Sequence, residues 1–304
     1  MVKFRARADG GAWQEFDETL PFNITTIDSV AVTDAQSIDV EPLGDTANAP
    51  AVNEWASVTG TTGSPTVNNY MHDGHEYDEY LFLGNGSITT TAGRVWVSWV
   101  GGAGSGGNVD AGSSGGGSGG DVLNDDDVTL TATTHDIIVG AGASNGSGSD
   151  TVAFGVTARR GGRGGSNTGT YSAPIDGGGA PQRNSGDPTA GAAHPTSGKG
   201  GDALRLGTNS GQKRSGGGRG AGGSGVDAAS SGTAAGGPGV EVLINGSLIE
   251  CGRGGSGKNN DTTANGADGV TYGDGGDGAT STSVGNNSSG GAGIQGCVVV
   301  RVRK

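Results

Sequence analysis

Glycine is the residue that most constrains this chain. It occupies 67 of 304 positions, about three times its share of roughly 7% in an average protein. Nine glycines lie in the first 100 residues, and the other 58 lie beyond residue 100. Only 31% of the residues are hydrophobic, and glycine disfavours helix interiors by about 1 kcal/mol relative to alanine. We therefore predict an all-β chain that lacks α-helices and a single large core.

The shift in glycine content predicts two domains, residues 1–79 and residues 80–304. The first is predicted to be a small β-rich module. Residues 2–7 and 12–16 alternate between apolar and polar side chains on either side of a glycine turn, which is typical of a hairpin. Residues 27–32 and 37–43 are two further candidate strands. The polar sequence from 44 to 79 shows few strand signals and is interpreted as a loop or linking segment.

In the second domain, β-prone stretches alternate with glycine blocks. Residues 80–100 predict a meander that ends in a glycine block, and residues 240–250 predict a hairpin across an Asn-Gly turn. The chain closes on residues 297–303, a β-prone segment that begins with four consecutive apolar residues.

The glycine blocks allow two interpretations. Gly/Ser tracts commonly form flexible linkers. The blocks could instead be extended helices of the polyproline II type, with three residues per turn and no internal hydrogen bonds. Their backbone groups would then bond sideways to neighbouring segments, because buried amides and carbonyls need partners. The interleaving with well-patterned strands favours the second interpretation, in which strands frame packed polyglycine II helices.

Charge and cysteine content narrow the classes of partner and compartment. The chain has 18 basic and 31 acidic residues, for a net charge of −13. This balance argues against nucleic acid and anionic membranes as main partners. Cys251 and Cys297 are predicted to be buried thiols rather than a disulfide framework. Residues 1–7 lack the apolar region of a signal peptide, so we predict synthesis in a cytoplasm.

Motifs that could carry chemistry are weak. Residues 218–223 formally fit GxGxxG, but no strand precedes them, so dinucleotide binding is not predicted. Residues 124–127 offer acidic oxygens without a twelve-residue calcium loop, and a solvated acidic turn is expected instead. His72 and His75 could pair on a metal, but a surface loop is the favoured interpretation. With no catalytic constellation, we predict no enzyme activity, no cofactor and no metal.

Four segments, in order, resemble the glycine-rich domain of bacteriophage tail-fibre and adhesin proteins. They are residues 80–107, 136–143, 151–165 and 290–301. The resemblance covers about residues 80–304. It implies a sandwich of polyglycine II helices with host-binding loops at one end, in a tail protein of a virion made in the host cytoplasm. Residues 166–239 depart from the pattern, because they are richer in Arg, Lys, His and Pro.

Loops that join the glycine helices are the candidate binding surface, because surface loops tolerate change and carry function. Basic side chains there would suit an anionic polysaccharide, and an aromatic ring would stack on a sugar. The same side chains could instead serve only as solubilising loop residues. The predicted receptor-binding residues are Tyr171, Arg183, His194, Lys199, Arg205, Lys213 and Arg214.

The resemblance implies a tail fibre or tail-tip adhesin that binds a host surface polysaccharide or an outer-membrane protein. Residues 1–79 would attach to other virion proteins. A homo-oligomer is expected, and trimers are common among fibres, by family analogy only. The alternative is a structural virion protein that binds no receptor, such as a capsid decoration, head-fibre or tail subunit. A depolymerase is a third hypothesis, for which the sequence offers no catalytic residues.

Overall fold

The computed structural model divides the chain into two compact units, Met1–Glu54 and Trp55–Lys304. In the first unit it describes the backbone of five strands. In the second it describes residues 55–168, 170–182, 189–196, 198–205, 213–230, 232–259 and 262–304. No α-helix occurs among these residues, so the predicted all-β class is confirmed. Nor do they include a helical span of the length and apolar character that a membrane crossing requires.

The first unit contains an antiparallel sheet in the order β2-β1-β5. The predicted hairpin is confirmed, because Phe4 on β1 lies opposite Phe16 on β2. The strands of this unit are β1 (Val2–Ala8), β2 (Gln14–Glu18), β3 (Thr26–Ile27), β4 (Val30–Ala31) and β5 (Ile38–Pro42).

Two five-stranded sheets occupy one end of the second unit. Sheet 1 has the order β12-β10-β23-β8-β7, and sheet 2 has the order β15-β14-β13-β9-β6. Their strands are β6 (Val58–Thr62), β7 (Thr66–His72), β8 (His75–Phe82), β9 (Gly86–Thr90), β10 (Gly93–Val100), β12 (Val122–Leu130), β13 (Thr134–Ile138), β14 (Thr151–Ala153), β15 (Val156–Ala158) and β23 (Cys297–Arg303).

Shorter strand pairs complete the second unit. A separate hairpin, β20 with β21, turns at Asn245-Gly246, where both residues have positive φ as a type I′ turn requires. The shorter strands are β11 (Gly112–Ser113), β16 (Ser166–Thr168), β17 (Thr170–Ser172), β18 (Leu204–Arg205), β19 (Lys213–Arg214), β20 (Val240–Ile244), β21 (Ser247–Cys251) and β22 (Thr280–Ser281).

The second unit begins before the boundary predicted at residues 79 and 80. Strand β6 pairs with β9, and β7 pairs with β8, which in turn pairs with β23. Strands β6 and β7 are the outer strands of their sheets, and most of their side chains are exposed. Their polar composition therefore hid them from pattern analysis, which assigned this region to a loop.

Strand β23 lies at the centre of sheet 1, and both of its faces are buried. Val298, Val300 and Val302 face sheet 2, in a core that also holds Trp99. Cys297 and Val299 face the opposite way, beneath the β20–β21 hairpin. Burial on both faces explains the continuous apolar run in this strand.

Beyond the sheets, glycine-rich segments run back and forth as parallel and antiparallel rods. The segment 111–121, which we call the central rod, is buried along its whole length. Its amides donate hydrogen bonds to three neighbouring segments, and every third residue donates to the same segment. This is the three-residue repeat of an extended helix without internal hydrogen bonds. The donor–acceptor pairs are Ser114–Ala279, Gly115–Gly165, Gly116–Gly216, Gly117–Gly276, Ser118–Gly162, Gly119–Arg219, Gly120–Gly273 and Asp121–Arg159.

Three further segments donate to the carbonyls of the central rod. Gly101, Gly104 and Gly107 belong to one of them, Gly179 to the second and Gly255 to the third. The central rod therefore has six bonded neighbours, as in a hexagonal lattice. Of the two interpretations of the glycine blocks, the ordered lattice is the one found in the described residues.

Close approach of the rods explains why glycine is required. A Cβ built on Gly116 would collide with the backbone of Gly255, and one on Gly120 would collide with the backbone of Gly101. Only a residue without a side chain lets two backbones come this near. Serine is accommodated where its hydroxyl joins the bonding, as at Ser118, which accepts the Gly162 amide at 2.6 Å and donates to the Asp176 carbonyl at 2.7 Å.

At the edges of the lattice, Asp and Asn side chains take the place of a missing neighbour. For example, Asp277 accepts the Ser256 amide at 2.7 Å, much as an N-cap residue accepts the free amides of a helix. We call these contacts edge caps. The further cap–amide pairs are Asp274–Arg253, Asp150–Arg160, Asp202–Gly191, Asp227–Asp202, Asp268–Ala292, Asp110–Gly285, Asn108–Gly290 and Asn265–Ser289.

Candidate functional site

The rods have a sheet end and a loop end. At the sheet end, rods join strands directly, for example where β10 runs into residue 101 and residue 121 runs into β12. At the other end, Val109 bridges to both Asn167 and Ser288, so the turns near these residues lie together. This second group, which we call the loop end, is where the resemblance implies receptor binding.

Three of the predicted binding residues lie on short strands at the loop end. Tyr171 on β17 lies opposite Asn167, and Arg205 on β18 lies opposite Lys213 on β19. Their backbone positions are described and their side chains are not. Arg183 falls outside the described residues. Tyr171, Arg205 and Lys213 therefore lie near one end of the rods, on short strands.

Arg214 is at the loop end but is 5% exposed. Its guanidinium Nη1 donates to the carbonyl of Gly232 at 2.9 Å. The side chain therefore ties two segments of the lattice together, whereas the sequence analysis expected it on an exposed loop. A long cation beside glycine has room to lie over neighbouring backbone, which accounts for the burial.

His194 and Lys199 lie towards the sheet end, away from the other predicted residues. His194 Nε2 is 3.2 Å from the carbonyl oxygen of Arg160, which follows β15 closely. Lys199 is exposed and pairs with Asp202 at 3.1 Å. The seven predicted residues therefore do not form one continuous surface.

His194 belongs to a buried polar cluster that the sequence analysis did not find. Arg219 Nη2 donates to Asp121 Oδ1 at 2.6 Å, and both side chains are almost completely buried. Thr196 Oγ1 donates to Asp121 Oδ2 at 2.8 Å and lies 2.8 Å from His194 Nδ1. Burial lowers the pKa of His194, and the nearby Arg219 charge adds to this effect. The cluster therefore favours a neutral imidazole that closes the sheet end of the lattice.

The acidic run 124–127 is part of strand β12 rather than the solvated turn that was expected. Asp127 pairs with Arg94 across the sheet, and Asp125 Oδ1 accepts the Asp127 amide at 2.9 Å. Within the described ranges, no three His, Cys, Asp or Glu side chains converge as a metal site requires. The run instead places charge on an outer strand, which discourages pairing with another chain.

A family model described as a glycine-rich domain matches residues 83–303 of the chain. The chain belongs to the glycine-rich domain family. The matched glycine-rich domain begins at the end of β8 and includes the described rods and the β20–β21 hairpin. A search of curated proteins found no match to the chain.

Proposed function

We propose that the protein is a bacteriophage virion component, a tail fibre or tail-tip adhesin, that binds a host surface receptor through its loop end. Membership of the glycine-rich domain family supports this proposal, as does the division of the second unit into a sheet end and a loop end. The unit Met1–Glu54 would attach to other virion proteins. The receptor would be a surface polysaccharide or an outer-membrane protein.

The observation that carries the proposal is the way the lattice is held together. Its bonds join backbone groups of the rods, and the turns at the loop end contribute few of the central rod's contacts. Loop sequences can therefore change without disturbing the six neighbours of the central rod. Such a division between a rigid frame and variable loops suits recognition of varied surfaces.

The test is binding of the purified full chain to bacteria and competition with phage for adsorption. Replacing Tyr171, Arg205 and Lys213 by alanine should weaken cell binding by about thirtyfold if they include a hot spot, equivalent to about 2 kcal/mol. Arg160→Ala, an exposed arginine near the sheet end, is the matched control and should leave binding unchanged. Equal binding by the triple variant and the control would contradict receptor binding through this end.

The alternative is a structural virion protein that binds no receptor. The burial of Arg214 and His194 favours this candidate, because it leaves fewer exposed basic groups than the sequence predicted. Immunogold labelling of intact virions separates the two: labelling of a tail tip supports the adhesin, and labelling of the capsid supports the alternative. Release of reducing ends from host polysaccharide would favour a depolymerase over both.

A further inference from the structure

A cleft of about 520 Å³ lies at the sheet end, between the β20–β21 hairpin and sheet 1. Its volume falls within the range of roughly 300–1,000 Å³ that is usual for small-molecule sites. Asn124 fixes the hairpin over the sheet, because its Nδ2 donates to the carbonyl of Glu241 at 3.2 Å. The whole cleft belongs to the second unit.

One wall of the cleft is apolar. It comprises Trp96 from β10 and two hairpin residues, Leu243 and Leu248. Trp96 is held in place by Tyr77, whose ring stacks on it with centroids 4.9 Å apart and planes inclined by 29°. Leu248 is 64% exposed, which leaves an apolar side chain in water unless a ligand covers it. This wall suits a flat ligand with an apolar face.

The floor of the cleft carries a buried cation. Arg301 is 8% exposed, and its Nη2 donates to Ser98 Oγ at 2.8 Å. Its Nε has no hydrogen-bond partner among the residues that the structure describes. The cross-strand neighbour of Arg301 is Glu79, which is fully buried and accepts hydrogen bonds from the Tyr70 hydroxyl and the Asn245 amide. The floor is thus polar, rigid and nearly balanced in charge.

The rim adds two carboxylates, those of Asp125 and Glu241. These groups would repel an anionic ligand, whereas the charge of the Arg301 guanidinium is balanced by its neighbour Glu79. A wholly apolar ligand would leave the polar floor and rim without partners, which is costly. A neutral ligand with many hydroxyls and one apolar face would bond to the carboxylates and the guanidinium and would also cover the apolar wall. We propose that the cleft binds a neutral saccharide, with hydroxyl groups donating to Asp125 and Glu241 and accepting from Arg301, and with the ring against Trp96 and Leu248.

This inference is separate from the proposed function, because the cleft lies at the sheet end, whereas Tyr171, Arg205 and Lys213, through which receptor binding is tested, lie at the loop end. The experiment is ligand-observed saturation-transfer NMR with the full chain. The probes are neutral oligosaccharides of glucose, galactose, mannose and N-acetylglucosamine, together with sialylated and uronic-acid oligosaccharides. We expect at least one neutral probe to receive saturation and the acidic probes to receive none.

Two exposed positions on the hairpin test the placement without disturbing the fold. Glu241→Ala should weaken binding about tenfold or more, because it removes the acceptor of a hydrogen bond to a charged group, which contributes about 1.5–3 kcal/mol. Leu248→Ala should weaken it about threefold by removing part of the apolar wall. Val284→Ala removes a similarly exposed side chain, 77% exposed, from the loop end and should leave binding unchanged.

Thermal melting of each variant checks that the fold is retained. The inference is overturned if no neutral probe binds, if only acidic probes bind, or if binding survives both hairpin substitutions in folded protein. Loss of cell binding by the loop-end variants, with saccharide binding intact, would show that the two sites act independently.

Discussion

Substituting Gly116 by alanine tests the lattice at its centre. A Cβ at this position would collide with the carbonyl of Gly255 and lie 3.0 Å from the amide nitrogen of Gly218. Both obstacles are backbone atoms of neighbouring rods, so no side chain can rotate away. The rods must separate, although the reduced freedom of the unfolded chain offsets the cost by about 0.4–1 kcal/mol.

The magnitude follows from the bonds that separation breaks. Gly116 donates to the Gly216 carbonyl at 3.2 Å and accepts from the Gly179 amide at 2.8 Å. A buried donor or acceptor left without its partner costs about 1–3 kcal/mol, and overpacking costs about 1–3 kcal/mol. We expect the free energy of unfolding to fall by about 3 kcal/mol or more. For a domain of this size each kcal/mol shifts Tm by about 2–4 °C, so Tm should fall by about 6–12 °C.

The assay is thermal unfolding followed by calorimetry, with Gly84→Ala as the matched control. Gly84 is exposed, and a Cβ built there meets nothing within 4 Å. The control should leave Tm nearly unchanged. Equal Tm values for the two variants would refute the lattice, as would hydrogen exchange of the central-rod amides at the rate of an unstructured peptide.

Three further outcomes are expected. Asp277→Ala should lower the free energy of unfolding, measured by urea titration, by about 1–3 kcal/mol, because the Ser256 amide loses its acceptor. Asp277→Asn keeps an acceptor and loses only the ion pair with Lys258, so it should lower the free energy of unfolding by less. Because the pKa of His194 is lowered in the folded protein, the unfolded chain binds a proton first as pH falls, and stability should decrease as pH falls through about 6.5 towards the folded pKa. The His194→Gln variant should lack this part of the pH dependence of Tm. Burial raises the pKa of Cys251 to about 12 and that of Cys297 well above its ordinary value. Neither thiol should therefore react with a thiol reagent at neutral pH until the protein unfolds, and rapid labelling of the native protein would contradict the buried positions.

Side-chain patterns predicted the strands that bury one or both faces. Alternation in residues 94–100 indicated β10, the apolar run that begins residues 297–303 indicated β23, and the Asn-Gly turn indicated the β20–β21 hairpin. The same reasoning missed β6 and β7, because outer strands expose polar side chains on both faces. Burial on one face imposes a two-residue period on a strand's sequence, and an exposed outer strand carries no such period.

The pairing of the rods could not be predicted, for a different reason. In the lattice the bonding groups are backbone amides and carbonyls, which every residue has. The sequence therefore does not indicate that Gly116 donates to Gly216 or that Gly119 donates to Arg219. The burial of His194 and Arg214 was missed for the same reason. Where neighbours have no side chains, a long polar side chain can lie buried over the backbone and bond to it, as Arg214 does with the Gly232 carbonyl.

The edge caps give the acidic composition a structural cause. A rod at the surface has amides that point away from the lattice, and an unpaired edge of this kind would invite association with other chains, as an exposed strand edge does. A carboxylate can accept such an amide, so it satisfies the donor and leaves no free amide with which a second copy could pair. The spacing supports this role, because Asp274 and Asp277 are one helical repeat apart and cap Arg253 and Ser256, which are also three residues apart. The excess of 31 acidic over 18 basic residues is therefore partly a requirement of ending the lattice in water.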